Sequence, residues 1–337
     1  MPTAHKGFIL KTMSISTALL KARLALELPP INAALDRALD TLPRAVQEVA
    51  RSTFEAGGKR LRPLLVILCA RLLGCTRADT HDLAITLEML HTATLLHDDV
   101  LDNAPTRRGH ACAHTKHGTT PAILAGDALL AQANAIVASF GSVALSQCFS
   151  EAIVRTCTGE IEEIFAAGSL DTSETAYTDI IRGKTAWLIR TACAMGGIHA
   201  GGSEAQINAL ATYGEQVGLA FQMVDDALDF APESVTGKPT GGDVAEGKLT
   251  PPVRLYRQSL EPFALKEFDA KFAAHAFTRQ ECETIAAAIC AAGFDQQTRE
   301  QANACLAQAL TALETLPDRP ERDILRQMAD YVRDRKK

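Results

Sequence analysis

Alternating runs of β-branched and aromatic residues are nearly absent from this sequence, and aromatics make up only 5% of its 337 residues. A sandwich or barrel needs many short alternating strands, so both are excluded. Nine cysteines are scattered along the chain with no CxxC pair, so neither a zinc ribbon nor a dithiol redox centre is expected. An odd number of thiols in apolar helical pattern reads as small hydrophobes in a reducing cytoplasm. There is no basic excess. A net charge of −6 leaves no basic stripe for nucleic acid. No uninterrupted apolar run reaches the ~18 residues of a transmembrane segment. The start, MPTAHKGFILKTMS, has no apolar core of signal-peptide length, and residues 1–13 read as a disordered extension.

Helical periodicity fills the rest. Apolar residues recur at helical spacing over roughly 31–56, 61–73, 79–101, 120–140, 144–167, 173–200, 204–230, 279–292 and 295–316. Breakers separate these runs: GGKRLRP at 57–63, NAPTRRG at 103–109, GTTP at 118–121 and FAPESVTGKPTGGDVAEGKLTPP at 230–252. At 47% hydrophobic the chain can bury a large core, and no shift in composition marks a linker. The prediction is one all-α domain over 14–337, a bundle of about a dozen helices. ITLEMLHTATLL at 85–96 is apolar nearly all round, which suits the middle of a bundle.

That central run ends in carboxylates. LLHDDVLD at 95–102 carries Asp98, Asp99 and Asp102, and FQMVDDALDF at 221–230 repeats the spacing with Asp225, Asp226 and Asp229. Residues i and i+4 share a helix face, so Asp98 projects with Asp102 and Asp225 with Asp229. One such cluster is as readily a solvated helix face as a site. Two of them, each ending an apolar helix, are expected to face one another across a bundle mouth. Six carboxylates there would repel unless divalent cations sat between them. Oxygen-only ligands suit Mg²⁺, which keeps waters and also binds substrate phosphates. A ferritin-like di-iron centre would need Glu-x-x-His pairs, and neither cluster has one.

Cations gather in the breakers. Lys59, Arg60 and Arg62 lie in the first, Arg107 and Arg108 in the second, and Lys238 and Lys248 in the last; RGKTA adds Lys184 beside Thr185. Arginine forks match phosphate oxygens, and lysine supplies a point charge. Each patch alone is an ordinary solvated loop. With both carboxylate clusters they read as a site for anionic, phosphate-bearing substrates.

In chain order, GGKRLRP, LLHDDVLD, RRG, GDALL at 126–130, KTA and FQMVDDALDF resemble the motifs of the trans-isoprenyl diphosphate synthases, over roughly residues 30–335. The resemblance implies the isoprenoid synthase fold, a single all-α bundle around a deep central cavity, usually a homodimer. It implies head-to-tail condensation of an allylic diphosphate with isopentenyl diphosphate, releasing pyrophosphate. By resemblance, Asp98 and Asp102 hold two Mg²⁺ ions on the allylic diphosphate, Asp225 helps hold a third, and Asp99, Asp226 and Asp229 support them. Lys59, Arg62, His91 and Arg108 match positions that bind isopentenyl diphosphate. Arg107, Lys184, Gln222, Lys238 and Lys248 match positions around the allylic diphosphate, and Thr185 matches a threonine that steadies the nascent cation. His91 alone reads as a core histidine, yet it lies two turns from Asp98 on the same face. No side-chain base stands in these motifs, so the departing pyrophosphate is expected to take the proton. Glu163, in GEIEE, stands where many relatives have glutamine; Phe230 replaces a common tyrosine; Asp243 is retained beside the metal-side network.

One turn before Asp98 come Ala93 and Thr94, small where short-chain members often carry Phe or Tyr. Leu90, Met89 and Thr86 follow, reaching about 18 Å below Asp98 along the helix. An open channel favours a product in the octaprenyl range, as used for quinone side chains, grown from a primer such as farnesyl diphosphate. Phe140 or Phe149 is a candidate floor, though core packing is the commoner role of a Phe. A short-chain farnesyl or geranylgeranyl synthase is the nearest alternative. A non-catalytic regulatory subunit is disfavoured because both clusters are intact. A class I terpene cyclase is disfavoured because its second motif mixes Asn/Asp, Ser/Thr and Glu.

Overall fold

The computed structural model describes residues 18–55, 57–236 and 239–336, and these are mostly helical, as the periodicity predicts. Residues 1–13 and Lys238 lie outside the described residues. The helices group into two compact units, each drawn from three stretches of sequence. Because the stretches interleave, no linker divides them, and no change in composition marks the division.

The first unit comprises the chain up to Ile153, Thr191–Ala211 and Thr315–Met328. It contains α1 (Ala18–Asp40), α2 (Arg44–Glu55), α3 (Leu61–Leu72), α4 (Thr80–Leu101), α5 (Ala113–His117) and α6 (Thr119–Ser139). The central run becomes α4, which packs against α1, α2, α3 and α6. Helix α1 starts earlier than its apolar run suggests and carries Pro29 and Pro30 in its interior. Proline removes a backbone bond there, but Leu20, Leu24, Ile31 and Leu35 bury the same helix, and packing outweighs the loss. By length and composition alone α6 is apolar enough to cross a membrane. Asp127, Gln132 and Asn134 interrupt its apolar run, and it packs against α4. The NAPTRRG breaker holds a small departure from all-helix: β1 (Thr106–Arg107) pairs antiparallel with β2 (His110–Ala111). Arg108 (φ 54°) and Gly109 (φ 77°) fill the two-residue turn, as a type I′ hairpin requires.

The second unit comprises Val154–Arg190, Thr212–Glu314 and Ala329–Lys337. It holds the second half of α7 (Val143–Ala166), α8 (Glu174–Ile181), the start of α9 (Trp187–His199) and most of α10 (Glu204–Leu228). The short helices α11 (Glu233–Thr236) and α12 (Gly242–Ala245) follow, then α13 (Pro251–Gln258), α14 (Pro262–Ala273), α15 (Arg279–Ala292) and α16 (Phe294–Glu314), with the end of α17 (Pro320–Arg333). Its core includes Phe230, Val253, Phe268, Phe272 and Ile289. Ser173 caps α8 by accepting from the Ala176 N–H at 3.0 Å, and Thr278 with Glu281 forms a capping box on α15. The run predicted as one helix over 173–200 widens at Arg182–Ala186 into a π-helical turn. That turn is the RGKTA motif, and such bulges concentrate at functional sites.

Candidate active site

In the first unit, Asp98 and Asp102 stand one turn apart at the end of α4, where the Asp102 N–H donates to the Asp98 carbonyl. Asp99 points inward and is buried. Arg107 Nε donates to Asp99 Oδ1 at 2.5 Å, so the arginine read as a diphosphate ligand also answers a buried carboxylate. Burial pushes the Cys112 thiol up to about 11, and its hydrogen bond to Asp99 adds to the rise. The GDALL motif explains how α4 and α6 approach: a Cβ at Gly126 would lie 2.4 Å from His97 Nε2. His97 Nε2 in turn lies 3.1 Å from the Ile123 carbonyl and 3.5 Å from Asp127.

Arg62, His91 and Arg108 come together in this unit. Burial holds the His91 imidazole well below its usual value, and Arg62, Arg108, Arg107 and Arg60 push the same way, so it is neutral at physiological pH. Burial also lowers Arg62, and Arg108 adds to the effect; its Nε is buried without a hydrogen-bond partner. Lys59 sits half-buried in the segment leading into α3, and Arg60 takes a left-handed backbone at φ 49°. Arg60 Nη1 donates to Glu88 Oε1 at 2.7 Å. Glu88 escaped the motif reading. Its signal was a lone carboxylate inside ITLEMLHTATLL, one turn before His91, and buried charges of this kind are paired. Gly58 lets the backbone approach this group, since a Cβ there would lie 3.1 Å from Arg60 Nη1 and 3.4 Å from Arg108 Nη1. Ala93 and Leu90 are buried, Thr94 donates to the His91 carbonyl at 2.8 Å, and Phe149 is fully buried. Phe140 meets His199 edge-on at 5.4 Å.

In the second unit a chain of neutral donors runs to Asp226. Thr185 Oγ1 donates to Gln222 Oε1 at 2.8 Å, and Gln222 Nε2 donates to Asp226 Oδ1 at 2.8 Å. Tyr177 Oη donates to Asp226 Oδ2 at 2.5 Å. Burial pushes the Asp226 carboxyl up to about 7 against the pull of these two donors. Tyr177 was not singled out from sequence; its place on α8, seven residues before Lys184, carried no motif. Asp225 meets Arg335 Nη1 at 2.7 Å, and Arg335 lies over the Phe221 ring. Asp229 Oδ2 accepts from the Asp243 N–H at 2.9 Å, and Thr250 Oγ1 donates to Asp243 at 3.0 Å. Burial raises Asp243 well above the usual range, with Asp229 and Asp226 adding to it. A cleft of about 70 Å³ is lined by Glu163, Tyr177, Gln222, Asp226, Asp243 and Lys248.

Among the described residues no three His, Cys, Asp or Glu side chains converge closely enough to hold a metal ion. The donors at both clusters are nevertheless oxygens, which fit a hard cation that completes its shell with water and substrate. The predicted site residues thus divide: Lys59, Arg62, His91, Asp98, Asp99, Asp102, Arg107 and Arg108 in the first unit, Lys184, Thr185, Gln222, Asp225, Asp226, Asp229 and Lys248 in the second.

Known proteins resemble this chain in sequence and fold. The model of the polyprenyl synthetase family matches residues 43–289. The octaprenyl diphosphate synthase of Escherichia coli is 32% identical over 302 residues, spanning 89% of this chain and 93% of its own. The geranylgeranyl diphosphate synthase of Methanosarcina mazei is 33% identical, over 90% of this chain and 94% of its own. Among solved structures, a decaprenyl diphosphate synthase from Rhodobacter capsulatus has a TM-score of 0.88 at 36% identity, covering 94% of this chain and 99% of that one. A polyprenyl synthase from Caulobacter crescentus, complexed with calcium and isoprenyl diphosphate, has a TM-score of 0.89 at 31% identity, over 97% and 99%. These relatives are named for long and short products alike. The chain belongs to the polyprenyl synthetase family, the trans-prenyltransferases whose motifs its sequence carries.

Proposed function

We propose that the protein is a Mg²⁺-dependent polyprenyl diphosphate synthase that adds isopentenyl diphosphate head-to-tail to an allylic diphosphate such as farnesyl diphosphate. Its product lies in the octaprenyl range and serves quinone side chains. The observation that carries the reaction is the pair of oxygen-only carboxylate clusters ending apolar helices. The small pair Ala93 and Thr94, one turn before Asp98, supports the long product. The enzyme works in the cytoplasm as a homodimer; Phe165, 82% exposed, and the exposed Val154 and Ile161 on α7 are apolar surface that a second copy would cover.

Asp98, Asp102 and Asp225 would hold Mg²⁺, three ions per site by family resemblance. Bound there, the metal supplies counter-charge to the departing pyrophosphate. Calcium, another hard dication, accompanies isoprenyl diphosphate in the Caulobacter relative. The remaining work falls to the chain itself. Arg62 offers its unsatisfied Nε–H, and with Arg108 and Lys59 it orients isopentenyl diphosphate. Neutral His91 adds a donor without adding charge. The Thr185 hydroxyl, fixed by Gln222, turns its lone pairs towards the allylic carbon as positive charge develops. No side-chain base is needed, because the released pyrophosphate accepts the proton.

Mass spectrometry of the products from farnesyl diphosphate, isopentenyl diphosphate and Mg²⁺ tests the reading. An octaprenyl-length product is expected. A ladder that stops at geranylgeranyl, the product named for the Methanosarcina relative, rejects the long-chain assignment. No product and no pyrophosphate rejects the reaction.

A further inference from the structure

Lys184 and Lys248 share one carboxylate. Glu163 on α7 accepts a short hydrogen bond from Lys184 Nζ and lies 3.5 Å from Lys248 Nζ. Each lysine also has a carboxylate of its own, Glu160 at 3.1 Å from Lys184 and Glu246 at 2.7 Å from Lys248. Three carboxylates against two ammonium groups leave one negative charge in excess.

Backbone contacts build this convergence. A Cβ at Gly159 would lie 2.4 Å from Lys184 N, so α7 and the π turn touch main chain to main chain. Just past the end of α7, the Gly168 N–H donates to the Gly247 carbonyl at 2.8 Å, and a Cβ at Gly247 would lie 2.7 Å from Gly168 N. Separate glycine contacts, one before Glu163 and one after it, therefore bring both lysines to the same carboxylate. An incidental surface ion pair would not need two tight backbone seams. The two lysines hold Glu163 below the usual carboxylate range although burial pushes it up, so the group is an anion at neutral pH.

We propose that Glu163 is a built-in competitor of the diphosphate: its carboxylate occupies Lys184 and Lys248 and must be displaced before a diphosphate can use them. It thereby limits the affinity of this site for the allylic substrate and for released pyrophosphate alike. The inference rests on the assignment of both lysines to the allylic diphosphate. Weaker binding of pyrophosphate favours its departure after each condensation, which clears the lysines for the next allylic diphosphate.

The test is calorimetric titration of inorganic pyrophosphate into the full-length protein in excess Mg²⁺. Glu163→Gln keeps the shape and removes the charge, so it should bind pyrophosphate about fivefold more tightly, the size of one half-buried ion pair. The KM for the allylic diphosphate should fall by a similar factor while the KM for isopentenyl diphosphate stays unchanged, a split that loss of structure alone would not produce. Glu163→Ala must move in the same direction. Equal or weaker binding in these variants overturns the inference, because Glu163 would then merely splint the lysines together. Lys184→Ala and Lys248→Ala separate the two layers. If both bind pyrophosphate as the wild type does, the assignment of the lysines fails. If they bind it more weakly and Glu163→Gln does not bind it more tightly, only the competition fails.

Discussion

The two DDxxD clusters have one spacing and two electrostatic solutions. In each, the middle carboxylate is the buried one: Asp99 is 3% exposed and Asp226 is 5% exposed. Helix geometry explains the likeness, since with i and i+4 outward the next residue turns about 100° towards the core. The partners differ. A full positive charge, Arg107, answers Asp99, whereas a phenol and an amide answer Asp226. The outer carboxylates differ too. Asp102 is exposed at the helix end, while Asp225 meets Arg335 and Asp229 meets a backbone N–H. The motif sets which carboxylates face outward. Residues far off in sequence decide how each is neutralised.

Removing an outer carboxylate tests whether equal spacing means equal function, and carries the largest expected effect. Asp98→Ala and Asp225→Ala should each lower kcat/KM by about 10³-fold, because charge developing on the leaving group loses its counter-charge. Steady-state pyrophosphate release measures both. A large loss in only one variant would break the parallel between the clusters.

The helices that precede the clusters sharpen the contrast. One turn before Asp98 stand Ala93 and Thr94, but one turn before Asp225 stands Phe221, with Arg335 4.4 Å from its ring. Five residues before each cluster stands an alanine, Ala93 or Ala220, so the two helices differ at the next position, where Thr94 leaves room that Phe221 fills. Ala93→Tyr should shorten the product to farnesyl or geranylgeranyl length, with an overpacking cost of about 1–3 kcal/mol. Product mass spectrometry checks it. An unchanged length would mean that the growing chain does not pass Ala93.

Glu27, outside both clusters, shows what full charge compensation does to a buried carboxylate. It accepts from Arg71 and lies 2.9 Å from His81 Nε2. Burial pushes its carboxyl up, but the hydrogen bonds from His81 and Arg71 outweigh that and bring it down to about 2 from the ordinary 4.5. A carboxyl depressed on folding stabilises the fold above its unfolded value, and that contribution is lost as pH falls from about 4.5 towards 2. Glu27→Gln should therefore cost about 3 kcal/mol at pH 7 and progressively less in acid, read from urea midpoints at several pH values. A pH-independent difference would refute the sign.

The outward-facing aspartates, the cations in the breakers and the helical class were all legible in the sequence, because spacing and composition encode them. The partners were not. Tyr177, Glu88 and Arg335 lie in no motif, and their roles come from burial and contacts at long sequence separation. The hairpin at Thr106–Ala111 was legible in principle, since Arg-Gly can fill a two-residue turn, but only Gly109 announces positive φ. The π turn at Arg182–Ala186 has no periodicity of its own. Gly159 and Gly183 show why it exists: both helices must lose a side chain for the backbones to meet, and neither glycine is informative alone.

The smallest expected effect is also the most direct comparison. Asp99→Asn leaves Arg107 facing an amide with only one acceptor oxygen, so a charge-assisted bond is lost while the arginine stays half-buried. The cost should be about 2 kcal/mol. Asp226→Asn leaves no stranded charge. Its oxygen still accepts from Tyr177 or Gln222, and its amide can donate to the other partner's oxygen if that group turns, so the cost should stay below about 1 kcal/mol. Urea denaturation of both variants in metal-free buffer separates the two outcomes. If Asp226→Asn proves the costlier, the neutral network holds the second cluster more tightly than Arg107 holds the first, and the contrast between the clusters is reversed.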